Sequence, residues 1–170
     1  MLENTTLIPA MLKIRLLQSL DRLSNTLQGC WHNDWASLRL HGDCHPGNIL
    51  WRDGPLFVDL DDARNGPAVQ DLWMLVNGDR QEQRIQWDIL LEAYSEFSDF
   101  DVHELSLIEP LRAMRMVYYL AWIVRRWQDP AFPRSFPWMT DEDFWHRQIS
   151  IFDEQDKLLQ EPPLQLMPAF

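Results

Sequence analysis

The sequence predicts an α+β protein, mostly helical, in which a small β patch carries the chemistry. Three observations lead there. Leu12, Leu16, Leu20, Leu23 and Leu27 recur at spacings of four and three, the mark of one helix face. Three short β-compatible runs, 38–40, 49–51 and 56–60, flank the turn Arg52-Asp53-Gly54-Pro55. After Pro67 only helical periodicity and cap signals remain.

Element by element, the leucine ladder predicts a helix over 7–27 with Gly29 as its stop. Asp71 to about Asn77 reads as a short helix, and Gln81 to Phe97 as a second, with Ile85, Ile89 and Ala93 or Tyr94 on one side. Asp101 with Glu104 resembles a capping box opening a long helix to Trp127, with Pro110 in its first turns or kinking it. Pro130, Pro133 and Pro137 predict an ordered loop pinned by Phe132, Phe136 and Trp138. Thr140 with Asp143 reads as a cap before a helix to about Gln160, and the tail from Glu161 as extended. One domain of 170 residues is expected.

Composition narrows the function classes. Hydrophobic residues make up 46%, enough for a packed core. Lys and Arg number 15 against 26 Asp and Glu, so the formal charge is -11. That balance argues against a general nucleic-acid or anionic-membrane partner. The longest apolar run, Met116 to Val124, has nine residues. A span needs about 20, so no membrane partner is expected. The opening MLENTTLIPA has no cationic leader pattern, and Cys30 and Cys44 make no disulfide framework. A soluble, cytoplasmic protein is the expectation.

The segment 40–62 is dense in His, Asp and Asn. It reads Leu40-His41-Gly42-Asp43-Cys44-His45-Pro46-Gly47-Asn48-Ile49-Leu50-Trp51, then Phe57-Val58-Asp59-Leu60-Asp61-Asp62. If 52–55 form a four-residue loop, 51 faces 56 and Asn48 faces Asp59, with Cβ atoms about 4.5–5.5 Å apart. An amide oxygen and a carboxylate so placed suit Mg²⁺, which takes oxygen ligands and completes its shell with water and phosphate. Asp43, five residues before Asn48, could accept a proton from an attacking hydroxyl.

An Asp, an Asn five residues on, and a metal-binding Asp after a hairpin form the catalytic-loop layout of protein kinases. The variant HGDxHxxN followed by VDxDD closely resembles the aminoglycoside phosphotransferase/choline kinase-like branch of that superfamily. From about residue 38 to the C-terminus, the chain is similar to a bacterial serine/threonine protein kinase of that branch. The resemblance implies Asp43 as catalytic base, and Asn48 and Asp59 as holders of Mg²⁺ that bridges the phosphates of ATP. It implies Asp61 as an aid to a second metal, Asp71 as a brace of the catalytic loop, and His41 as a loop support rather than a proton carrier. It also implies Ser/Thr hydroxyls of proteins as acceptors.

The chain departs from the complete kinase pattern. None of its six glycines forms a phosphate cradle ahead of the loop, and its two lysines, Lys13 and Lys157, lie outside any strand context. The expectation is a C-terminal lobe alone, without the N-terminal nucleotide-binding lobe, and nearly inactive by itself. Two other functions stay open: a small-molecule kinase acting on an aminoglycoside- or choline-like hydroxyl, and a non-catalytic regulatory or scaffold fragment.

Plainer readings stand beside these. Asp43, Asn48 and Asp59 could be ordinary turn formers. His41 and His45 could suggest zinc, but Gly42, Pro46 and Gly47 forbid the helix that spacing needs, and a third ligand is missing. Asp59 with Asp61 and Asp62 could suggest an aspartyl phosphohydrolase, but the helical second half offers no parallel sheet. Cys44 reads as buried and inert. Arg112, Arg115, Arg125 and Arg126 could meet an acidic substrate or phosphate, with local pairing or snorkelling the favoured reading. The aromatics of 127–145 read mostly as core and loop anchors, with an exposed subset as a possible substrate platform.

Overall fold

A computed structural model of the chain describes residues 2–30 and 35–166. The mostly helical α+β class is found. The chain divides into two compact units, Met1–Trp31 with Glu109–Glu161, and His32–Ile108 with Pro162–Phe170.

The first unit is built by α1 (Ala10–Cys30), α4 (Ile108–Arg125), α5 (Ala131–Ser135) and α6 (Glu142–Leu158). Leu12, Leu16 and Leu23 of the predicted ladder are buried, in one core with Ala113, Leu120, Ile123, Trp145, Ile149 and Phe152. Gly29 does not stop α1, which runs on to Cys30. A polar seam joins α1 to α6. Ser19 Oγ and Arg22 donate to Asp153 Oδ1, both at 2.6 Å, and Thr26 Oγ1 donates to Asp156 at 2.6 Å. Burial works to raise the Asp153 pKa, but the Ser19 hydroxyl and the Arg22 and Arg15 guanidinia outweigh it and hold the carboxyl below its ordinary value.

Two expectations shift here. The proline-rich stretch is not a loop throughout: Ala131–Ser135 is a single helical turn with Pro133 near its start, where the missing N–H costs nothing. The cap of α6 is Asp141 rather than Thr140, since its carboxylate accepts Asp143 N–H at 3.0 Å.

The second unit holds two two-stranded antiparallel ladders, β1 (Leu38–Leu40) with β4 (Arg64–Gly66), and β2 (Ile49–Trp51) with β3 (Pro55–Phe57). Helix α2 (Val69–Leu72) runs into a 3-10 turn, Trp73–Leu75, so the predicted short helix is split. Helix α3 (Arg80–Ser95) begins at a capping box of Asp79 and Glu82. Its buried residue is Trp87, while Ile85 and Ile89, which helical spacing puts on one side, lie exposed. Arg80 donates to Pro162 O at 2.6 Å, and residues 162–166 carry no regular structure. The rest of the predicted tail lies outside the described residues.

Asp101 caps a 3-10 turn, Val102–Leu107, and α4 follows with Pro110 in its first turn. Glu104 does not close a capping box. It is 2% exposed, and its carboxylate accepts the Val69 N–H at 2.9 Å, serving the otherwise uncapped start of α2. Burial pushes its pKa up, helped by Asp101 and opposed by the N–H groups of Val69 and Ala68. The folded chain therefore holds this proton more tightly than the unfolded chain. Stability contributed by protonated Glu104 is full below the unfolded pKa and is lost as pH rises through the higher folded value. Glu104→Gln keeps an acceptor for Val69 and removes the titration. It is expected to flatten the fall in stability between the unfolded and folded values, with urea melts at several pH values as the measurement. An unchanged slope would show that Glu104 does not titrate there.

Candidate functional site

The loop after β1 is held by its backbone. Asp71, carried on α2, accepts the N–H of His41 at 2.6 Å and of Gly42 at 2.8 Å, one on each carboxylate oxygen. Gln70 Nε2 donates to Gly42 O at 3.0 Å. His41 Nε2 lies 2.8 Å from Val58 O, and Asp43 N–H approaches Nδ1 at 3.4 Å. A neutral imidazole protonated on Nε2 satisfies both contacts, which fits a support and leaves no free nitrogen for proton transfer.

Asp71→Ala would leave two buried, previously charge-assisted N–H donors unpaired. At about 1–3 kcal/mol for each unsatisfied group, the expected loss is about 3 kcal/mol. Hydrogen exchange should show lost protection at His41 and Gly42. A melting midpoint equal to that of the parent chain would sink the argument.

Beyond the brace, the chain turns at Gly42, whose φ is +87°. His45 caps the 3-10 turn Pro46–Asn48 by accepting Gly47 N–H at 3.0 Å. Asn48 Nδ2 then reaches back to Asp43 O at 3.0 Å and more loosely to Asp43 Oδ2 at 3.5 Å. That bond leaves Asn48 Oδ1 as an open acceptor. Asp43 is 22% exposed at its side chain, and His45 Nε2 stands 3.6 Å from Oδ2.

The hairpin differs from expectation in one decisive respect. Trp51 pairs with Pro55, Leu50 with Leu56 and Ile49 with Phe57. The loop has three residues, with Gly54 at φ +143° and Arg52 N–H on Gly54 O at 3.2 Å. Asn48 therefore stands across from Val58, whose N–H bonds Asn48 O at 3.0 Å, and not from Asp59. A one-residue slip would send Asp59 to the other face of a regular strand. The strand does not stay regular: Asp59 takes φ 64°, ψ 65° and ends it. It is the one non-glycine residue at positive φ among the described residues. Its carboxylate is exposed, makes no cap bond, and has no other partner among the described residues. Such strain at a residue with an unspent carboxylate marks a functional candidate. Asp61 is exposed in the 3-10 turn that follows, and Asp62 is tied down by Arg64, which donates to its carbonyl at 2.8 Å and its carboxylate at 2.7 Å.

Leu40, His41, Cys44, Phe57, Leu60 and Leu72 line an open, largely apolar hollow of about 670 Å³ beside this loop. Cys44 is 5% exposed, and burial, then Asp71 and Asp43, push its thiol up to about 11. It is a buried inert thiol, as the sequence suggested. Among the described residues no group of three His, Cys, Asp or Glu could hold a metal alone. The donors present, Asn48 Oδ1 and the Asp59 carboxylate, are hard oxygens of the kind Mg²⁺ uses alongside water and phosphate. The two donors do not stand opposite each other in the hairpin, since Asn48 pairs with Val58.

The braced loop, its Asp-to-Asn spacing and the hairpin after it define a class. Residues 3–108 match the phosphotransferase enzyme family, and the chain belongs to that family. The match reaches back through α1, further than the motif-based resemblance. Among named relatives, Stress response kinase A of Escherichia coli (strain K12) is 65% identical over 168 residues, covering 99% of this chain and 51% of that protein. The protein named Serine/threonine protein kinase RdoA in Salmonella typhimurium (strain LT2) is 64% identical over the same length and coverage. The chain thus spans about half the length of the curated relatives it matches. Among the described residues no helix is long and apolar enough to cross a membrane.

Sequence reasoning missed β4, the Arg64 clamp on Asp62 and the role of Glu104. Asn65-Gly66 looks like a turn, and Glu104 looks like a cap residue. Only burial reveals what Glu104 serves.

Proposed function

We propose that this chain supplies the catalytic loop of an ATP- and Mg²⁺-dependent phosphotransferase whose acceptors are Ser/Thr hydroxyls of proteins. The observation that carries the reading is the hold on Asp43: its backbone is braced through His41 and Gly42 by Asp71, and its carbonyl is pinned by Asn48. A carboxylate so fixed can accept the acceptor's hydroxyl proton as the new O–P bond forms and the bond to the ADP oxygen breaks. Asn48 and Asp59 would hold Mg²⁺, and Asp61 would assist. The bound ion would offset charge on the phosphate oxygens. Protein as the acceptor class follows the names of the relatives.

The two lysines, Lys13 and Lys157, both belong to the first unit, away from the residues of this loop in sequence. Pairing of the nucleotide phosphates would therefore come from the part of the relatives that this chain does not match. Alone, the chain is expected to fall well below the roughly 1–100 s⁻¹ of ordinary kinases.

The test is a transplant. This chain replaces the corresponding half of the Escherichia coli relative, and transfer of the γ-phosphoryl group from ATP is followed with Mg²⁺ and with EDTA. Mg²⁺-dependent labelling of protein supports the reading. Labelling of an aminoglycoside or choline without protein labelling moves it to small molecules. No transfer from a folded chimera overturns it.

A further inference from the structure

We propose that one face of α4 is a docking surface for an acidic polypeptide segment. Arg115, Tyr118, Tyr119, Trp122, Arg125 and Arg126 fall at i, i+3, i+4, i+7, i+10 and i+11, a spacing that places them within one third of the helix circumference. The face points outward: Tyr118 is 65% and Tyr119 44% exposed, and all three arginines are exposed.

The charge on this face opposes the charge of the chain. Against a formal net charge of -11, residues 109–138 carry five arginines and only two acids, Glu109 and Asp129. Glu109 is already engaged with Arg112 at 3.1 Å, and Asp129 with the Ala131 N–H at 2.9 Å. Several acids of α6 and its cap are engaged elsewhere, Asp153 with Ser19 and Arg22, Asp156 with Thr26, and Asp141 with the Asp143 N–H. Arg125 and Arg126 have no carboxylate partner among the described residues.

The face is also prepared. Arg126 lies over the Trp122 ring at 5.2 Å and near the Phe132 ring at 5.9 Å. Tyr119 stacks on Trp122 with an interplanar angle of 18°, and Phe136 meets both edge-on. A guanidinium stacked on indole keeps its in-plane N–H groups outward, ready for a carboxylate. Neither tyrosine hydroxyl has a partner among the described residues, so each can donate to an acidic side chain or a peptide carbonyl. Arginine and tyrosine over the half-buried Trp122, Phe132 and Phe136 are the composition of interface anchors.

The occupant is a short acidic segment and not a nucleic acid. With a formal net charge of -11, the chain as a whole repels a long polyanion, whereas a short peptide presents its charge only where it binds. The proposal concerns binding alone and does not rest on phosphoryl transfer.

The experiment uses the full chain and a fluorescein-labelled 12-residue peptide of Asp and Glu carrying one Leu and one Phe, read by anisotropy. The expected result is binding that weakens as salt rises and is absent for the Lys-substituted counterpart. Arg115→Glu with Arg125→Glu should weaken it at least about tenfold in a chain that still melts cooperatively. Tyr118→Ala, at the most exposed ring, should weaken it severalfold while leaving the stacked aromatics in place. Equal affinity in these variants, or no binding by the parent chain, overturns the proposal. So does tighter binding of a single-stranded oligonucleotide of equal charge, or a self-association that the double variant abolishes.

Discussion

Asp43→Asn, made in the chimera with the Escherichia coli relative, is expected to lower phosphoryl transfer by about three orders of magnitude. Stability should stay within about 1 kcal/mol of the parent. The contacts that build the loop explain the separation. Asp71 holds His41 and Gly42 through their backbone, and Asn48 bonds the Asp43 main-chain carbonyl at 3.0 Å. None of these needs the Asp43 carboxylate. Its side-chain contacts to Asn48 and His45 are long, 3.5 Å and 3.6 Å. An amide of the same shape fits there but cannot take a proton. Rate is read by transfer from labelled ATP, and stability by urea melts. A variant within tenfold of the parent would remove Asp43 as the base, whatever its effect on folding.

Gly42→Ala is expected to act in the opposite way, through the fold, with a loss of about 4 kcal/mol or more. Gly42 has φ +87°, and an alanine there costs about 1–2 kcal/mol before any contact is considered. The new methyl would also fall on the Asp62 carbonyl oxygen, far inside contact distance, and within 2.8 Å of its carbon. Relief by a rotamer is impossible, because the obstacle is backbone. Asp62 cannot yield easily, since Arg64 grips both its carbonyl and its carboxylate. Either the turn before Asp43 opens, breaking the bonds to Asp71, or the turn after Asp59 moves. Denaturation and amide exchange over residues 40–62 would register the change. A variant as stable as the parent would mean that this close approach is not a constraint.

These two substitutions sit side by side in sequence, yet they test different things. Phosphoryl transfer depends on a charge at Asp43, and the loop's shape depends on the absence of a side chain at Gly42. A third result, from Asp71→Ala, would join them, since loss of the brace should lower stability and also loosen the base.

The two units differ in how far their makeup is legible along the chain. The leucine ladder of α1 and the caps near Asp101 and Asp141 follow from local rules, because helix periodicity and N-cap chemistry act within a few residues. Helical spacing puts Ile85 and Ile89 on one side of α3, but only burial shows that Trp87, and not that side, enters the core. The residue types at 43, 48 and 59 were also legible from spacing and chemistry, whereas Asp71 was marked only by the family resemblance.

Geometry was another matter. A four-residue and a three-residue loop are equally compatible with Arg52-Asp53-Gly54-Pro55, and the choice moves Asn48 from Asp59 to Val58. The left-handed turn at Asp59 and the use of Glu104 at Val69 N–H depend on groups dozens of residues away or on backbone angles that no local pattern encodes. By itself, then, the sequence determined the long helices α1, α3, α4 and α6, the chemical inventory of the loop and the family to which the chain belongs. Only the tertiary structure decided the hairpin register, the backbone brace of Asp43 and the outward face of α4. The reason is physical: periodicity and capping are local, whereas register, burial and charge pairing are set by partners distant in the chain.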